Sequence, residues 1–107
     1  MIDELRDRID VIDEQLVALL NTRAACAIEI GRLKRERGLP IYQPDREAAV
    51  VSRARATTVN LGGPLTEEAI SRLFERIIDE ARQLEVAGGT AREDGRAGPA
   101  PVGGSDR

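Results

Sequence analysis

From Ile2 to Leu33 an apolar side chain recurs at alternating steps of three and four, through Leu5, Ile9, Ile12, Leu16, Leu19, Cys26 and Ile30. That spacing is a heptad seam, and it predicts one helix over residues 3–36 packed along its length on another helix. Gly31 is the only glycine or proline within that span. At about 1.5 Å per residue the helix is roughly 50 Å long. A helix of that length cannot bury its stripe alone.

Gly38 followed by Pro40 predicts its end, a left-handed cap and then a breaker. Gln43-Pro44-Asp45-Arg46-Glu47 reads as the next start, with proline at the first helical position and acids in the first turn. Val50, Val51 and Ala54 give this second helix an apolar face to about residue 58. Asn60-Leu61-Gly62-Gly63-Pro64 reads as a loop, after which Thr66 caps a third helix with Glu67 and Glu68 at its positive end. Ile70, Leu73, Phe74, Ile77, Ala81 and Leu84 form its expected stripe. The segment 87–107 holds six glycines, two prolines and a single branched aliphatic, Val102. It has too little apolar surface to offset ordering and reads as a disordered tail. The expected architecture is all-α, with a helical domain over 1–86 and a tail over 87–107.

The chain of 107 residues is long enough for one domain and too short for two. With 16 Lys and Arg against 19 Asp and Glu, it lacks the positive field of a dedicated nucleic-acid binder. Tyr42 and Phe74 are the only aromatics, which argues against base-stacking platforms and a β-sandwich core. Histidine is absent and Cys26 is the only cysteine, which rules out an internal disulfide, a His-based triad and the usual structural zinc ligands. Cys26 reads as a small core residue. A charged N-terminus and the lack of any membrane-length apolar run point to a cytoplasmic protein. Its chemistry must come from Arg, Lys, Asp and Glu.

An arginine in a heptad core slot is costly unless something anionic meets it. Arg23 fills such a slot, between Leu19 and Cys26. Lys34 lies eleven residues on, within about 20° of the same helix face. Arg23, Ala27, Ile30 and Lys34 therefore line one strip with a cation at each end. One reading is structural, with these cations paired to a carboxylate such as Glu47 or Glu85. The other is an anion site. Arg6 lies near the same face but about 25 Å away, too far to share one small anion with Arg23 within a chain. If the two serve one ligand, Arg6 comes from a second copy. The long seam independently asks for that partner.

These residues resemble the all-helical class of chorismate mutases. The likeness is carried by Leu5-Arg6-Asp7-Arg8-Ile9-Asp10-Val11-Ile12-Asp13 and by Leu19-Leu20-Asn21-Thr22-Arg23 leading into Ile28-Glu29-Ile30-Gly31-Arg32-Leu33-Lys34. Ile41-Tyr42-Gln43-Pro44-Asp45-Arg46-Glu47 is similar to the family's Tyr-Asp-Pro-x-Arg-Glu, and Leu73-Phe74-Glu75-Arg76-Ile77-Ile78 to its third helix. Together they cover residues 3–86. The resemblance implies an intertwined homodimer of three-helix chains that converts chorismate to prephenate without cofactor or metal. It implies that Arg23, and Arg6 from the partner chain, grip the substrate carboxylates. Lys34 would donate to the breaking ether oxygen, and Arg46 would add positive field. Glu47 would accept from the ring hydroxyl, helped by the backbone amide of Gln43, which stands where the family often has Asp. Ala81 would form pocket wall where some members have Ser. Glu85 would be the second donor to the ether oxygen, which requires a protonated carboxyl. Activity is then expected to fall as pH rises.

Three other readings stay open on the sequence. An isochorismate pyruvate-lyase or a 4-amino-4-deoxychorismate mutase would use nearly the same cations on this scaffold. A non-catalytic helical dimerisation module would have its seam charges salt-bridged. A weakly active enzyme switched on by a partner enzyme of the same pathway combines the two.

Overall fold

A computed structural model describes residues 1–93, and among them it contains three helices and no strand. Helix α1 spans Ile2–Arg37, α2 Pro44–Leu61 and α3 Glu67–Glu93. Gly38 ends α1 at φ 69° and ψ 26°, with its N–H donating to Arg35 O at 3.3 Å and that of Leu39 to Lys34 O at 2.8 Å. This left-handed conformation favours glycine. Gly62 closes α2 in the same way, so α2 absorbs Asn60 and Leu61, which the sequence assigns to a loop. Thr66 caps α3 as expected, its Oγ1 accepting from Ala69 N–H at 3.0 Å.

The end of α3 departs from the expected boundary at 87, because the helix continues through Gly88 to Glu93. A mid-helix glycine costs about 1 kcal/mol relative to alanine. It caps a helix when it turns left-handed, and only Gly38 and Gly62 do so among the described residues. The rest of the proposed tail lies outside the described residues.

Both α1 and α2 pack against α3. Two polar anchors fix the α2–α3 hairpin: Arg55 Nη1 donates to Ser71 Oγ at 2.7 Å, and Thr58 Oγ1 to Leu65 O at 3.1 Å. Helices α1 and α3 approach closely at Gly31, where a Cβ would stand 3.0 Å from Glu85 Cβ. The chain forms a slab of 52 × 33 × 15 Å. So thin a layer has almost no interior, and among the described residues the buried apolar ones are Ala27 and Ile78. On α3, Ser71 and Ile78 are buried and Ile70, Phe74, Ile77, Ala81 and Glu85 are partly so, whereas Leu73 and Leu84 of the expected stripe are exposed. Along α1 the seam itself is open: Leu5, Ile9, Ile12, Leu16 and Leu19 all stay exposed, Leu19 at 67%. None of the helices is long and apolar enough to cross a membrane.

Candidate active site

Three segments surround an open cleft of about 790 Å³: residues 23–34 of α1, 40–50 of the connection and the start of α2, and 78–85 of α3. That volume suits a small organic ligand. Arg23, Lys34, Gln43, Arg46, Glu47, Ala81 and Glu85, all singled out from the sequence, line it. Arg6 does not; it is exposed near the far end of α1. Cys26 is also on the wall and exposed, not in a core. The reason is angular: α3 covers the Ala27–Gly31 face, and Cys26 lies about 100° away from Ala27.

Lys34 sits in the last turn of α1, where its Nζ donates to Ile41 O at 2.9 Å and to Glu85 Oε1 at 3.0 Å. Both side chains of this pair are only 12% exposed. Glu85 reaches that point because Gly31 presents no side chain to α3, and Arg35 Nη1 holds the Glu85 carbonyl oxygen at 2.8 Å. A nearly buried ion pair loses much of its Coulomb gain to desolvation. Its location in a cleft marks it as a candidate functional pair.

Glu47, in the first turn of α2, takes a different partner from the one expected. Arg82 Nε and Nη2 donate to its two carboxylate oxygens at 2.9 and 2.8 Å. Arg82 also donates from Nη1 to Asp79 at 3.3 Å, and its guanidinium lies 5.1 Å from the centre of the Tyr42 ring. The hydrogen bond to Glu47 is the main cause of a raised Arg82 pKa, opposed by desolvation and supported by the Glu47 and Asp79 charges. Sequence reasoning missed Arg82. Its signal was its place between Ala81 and Glu85, one helical step round from the expected wall.

The cations of the seam divide accordingly. Lys34 is paired, as the structural reading expects, while Arg23 and Arg46 have no hydrogen bond or ion pair to any described residue. Across the cleft Arg23, Lys34, Arg46 and Arg82 outnumber Asp45, Glu47 and Glu85, leaving positive charge in excess. Such a site favours an anion, with Arg23 and Arg46 available to it. Gln43 is the N-cap residue of α2 at the cleft edge, and its side chain makes no capping bond. Among the described residues no cluster of His, Cys, Asp and Glu could hold a metal ion.

Residues 5–86 match the family model for chorismate mutase type II. The bifunctional chorismate mutase/prephenate dehydratase of Aquifex aeolicus is 39% identical over 83 residues, covering 77% of this chain and 23% of that protein. The T-protein of Enterobacter agglomerans is 34% identical over 99 residues, covering 79% of this chain and 26% of that protein. Form II of the chorismate mutase from Thermus thermophilus aligns at a TM-score of 0.75 and 35% identity, covering 79% of this chain and 93% of that one. The chain thus spans about a quarter of the length of the curated relatives it matches.

Proposed function

This chain belongs to the chorismate mutase type II family, and we propose that its cleft catalyses the Claisen rearrangement of chorismate to prephenate. The observation that carries the reading is the convergence of Arg23, Lys34 and Arg46 on one cleft that also presents Glu47 and Glu85. Chorismate is a dicarboxylate that reacts only from a compact conformer in which its bond-forming carbons approach. Holding both carboxylates selects that conformer and lowers the entropic part of the barrier. Arg23 grips one carboxylate from within the chain, and Arg46 adds positive field.

As the ether bond breaks, negative charge grows on its oxygen, and preorganised donors there stabilise the transition state. Lys34 Nζ supplies one donor. Glu85 stands 3.0 Å from it, so an oxygen that meets one meets the other. Donation by Glu85 requires a proton on its carboxyl, since an ionised carboxylate only accepts. Glu47 accepts from the ring hydroxyl beside the Gln43 backbone, while Ala81 forms wall. The rearrangement is intramolecular and asks for no proton-transfer residue or cofactor.

The second carboxylate grip comes from Arg6 of the partner subunit in a homodimer. The exposed run from Leu5 to Leu19 supports a second copy, since an apolar stripe of that length needs cover. Arg6 is about 25 Å along the helix from Arg23, so only a partner's copy can reach the cleft. The pathway is that of phenylalanine and tyrosine synthesis in the cytoplasm. The dehydratase named in the Aquifex relative supports a partner enzyme acting on prephenate. Arg23 without a salt bridge speaks against a purely structural dimerisation module.

The test is the loss of chorismate ultraviolet absorbance with purified protein, the product being identified by NMR and isochorismate run in parallel. Conversion to prephenate alone is expected. Pyruvate release from isochorismate with chorismate untouched refutes the assignment, as does inertness toward both.

A further inference from the structure

All three guanidinium nitrogens of Arg82 are engaged. One edge, Nε and Nη2, meets both oxygens of Glu47 at 2.9 and 2.8 Å. The remaining nitrogen, Nη1, meets Asp79 at 3.3 Å, and Cζ lies over the Tyr42 ring, 5.1 Å from its centre. A planar fork held at three places has one orientation, and it imposes one on the carboxylate it grips. The pair is 34% and 24% exposed, so it adds little to stability as a salt bridge. Its consequence is geometric. Glu47 lines the cleft, and a carboxylate has about four lone-pair sites, of which the fork takes two. The other two remain for a donor inside the cleft, aimed by the fork.

We propose that Arg82 is a positioning residue that fixes the Glu47 carboxylate to receive the ring hydroxyl of the substrate, an inference that rests on the role of Glu47 given above. Lysine cannot substitute, since a point charge on a flexible stem makes no two-point contact. The hydroxyl stands on the carbon beside the breaking C–O bond but keeps its own bonds throughout the rearrangement, so its contact serves binding in ground and transition states alike. Losing the fork therefore raises KM and leaves kcat nearly unchanged.

Steady-state kinetics on chorismate test this with wild type, Arg82→Met, Arg82→Lys, Glu47→Gln and the Arg82→Met, Glu47→Gln double variant. Arg82→Met is expected to raise KM about tenfold with kcat within about threefold, and Arg82→Lys to recover only part of the loss. The double variant is expected to be no worse than Glu47→Gln, because the amide already breaks the two-oxygen fork through which Arg82 acts. A thermal midpoint within about 5 °C of wild type accompanies these changes. A residue that only supported folding would lower apparent kcat and leave KM alone. If Arg82→Met loses its helical spectrum, Arg82→Lys carries the same comparison. An unchanged KM in an active protein, or losses that add in the double variant, overturns the role of Arg82 alone. A wild type that does not rearrange chorismate overturns the functional reading and this inference with it.

Discussion

Gly31→Ala places one methyl group in the close contact between α1 and α3 at Glu85. The new Cβ would stand 3.0 Å from Glu85 Cβ and 3.1 Å from both its Cα and Cγ. Carbon atoms rest at about 3.5–4.0 Å, so the helices must part by about 0.5 Å. The obstacle includes the backbone of α3, so a side-chain rotation cannot relieve it. Overpacking of this kind costs about 1–3 kcal/mol, and the gain in helix propensity returns about 1 kcal/mol. A net loss of up to about 2 kcal/mol is expected, read as a lower urea midpoint by circular dichroism. The same displacement carries Glu85 away from Lys34, whose contact is 3.0 Å. Misplacement by about 1 Å can cost 100-fold in rate, so half of that predicts roughly a tenfold fall in kcat. A Gly31→Ala protein as stable as wild type with full turnover would refute the claim that this approach sets the site.

Arg23→Ala and Lys34→Ala should both lower turnover by about 100-fold or more yet separate in stability. Lys34→Ala strands a nearly buried Glu85 carboxylate and should cost about 1–3 kcal/mol, whereas Arg23→Ala breaks no ion pair and should stay within about 0.5 kcal/mol in urea titrations. Glu85→Gln replaces a group that donates only when protonated by one that donates at every pH. The variant should therefore turn chorismate over at least as fast as wild type at neutral pH, and a loss of about 100-fold would remove donation at position 85 from the mechanism.

Much of the fold was legible because its signals are local. Gly38 and Pro40 mark the end of α1, and Thr66 the start of α3, by backbone requirements that hold in any context. The strip from Arg23 to Lys34 follows from helix geometry alone. Pairing across helices was not legible. The seam cations and the carboxylates of Glu47 and Glu85 were all identifiable, but only the α1–α3 contact at Gly31 gives Glu85 to Lys34. Only the register of α2 on α3 gives Glu47 to Arg82. The inner line of α3 was misread for a related cause. Apolar periodicity selects Leu73 and overlooks Ser71, which can turn inward because Arg55 satisfies it. Gly88 shows the remaining gap, since a glycine reads as a stop whether or not it takes the left-handed turn.

The most direct test of a chorismate site shared between two chains is complementation between Arg6→Ala and Arg23→Ala. Each variant alone should be folded and nearly inactive, having lost one carboxylate grip at both sites. When the two are unfolded together and refolded as a mixture, half of the dimers should be mixed, each with one intact and one doubly damaged site. Turnover of chorismate to prephenate should then return to about a quarter of wild type. A mixture that forms mixed dimers and stays as inactive as its components would contradict the account.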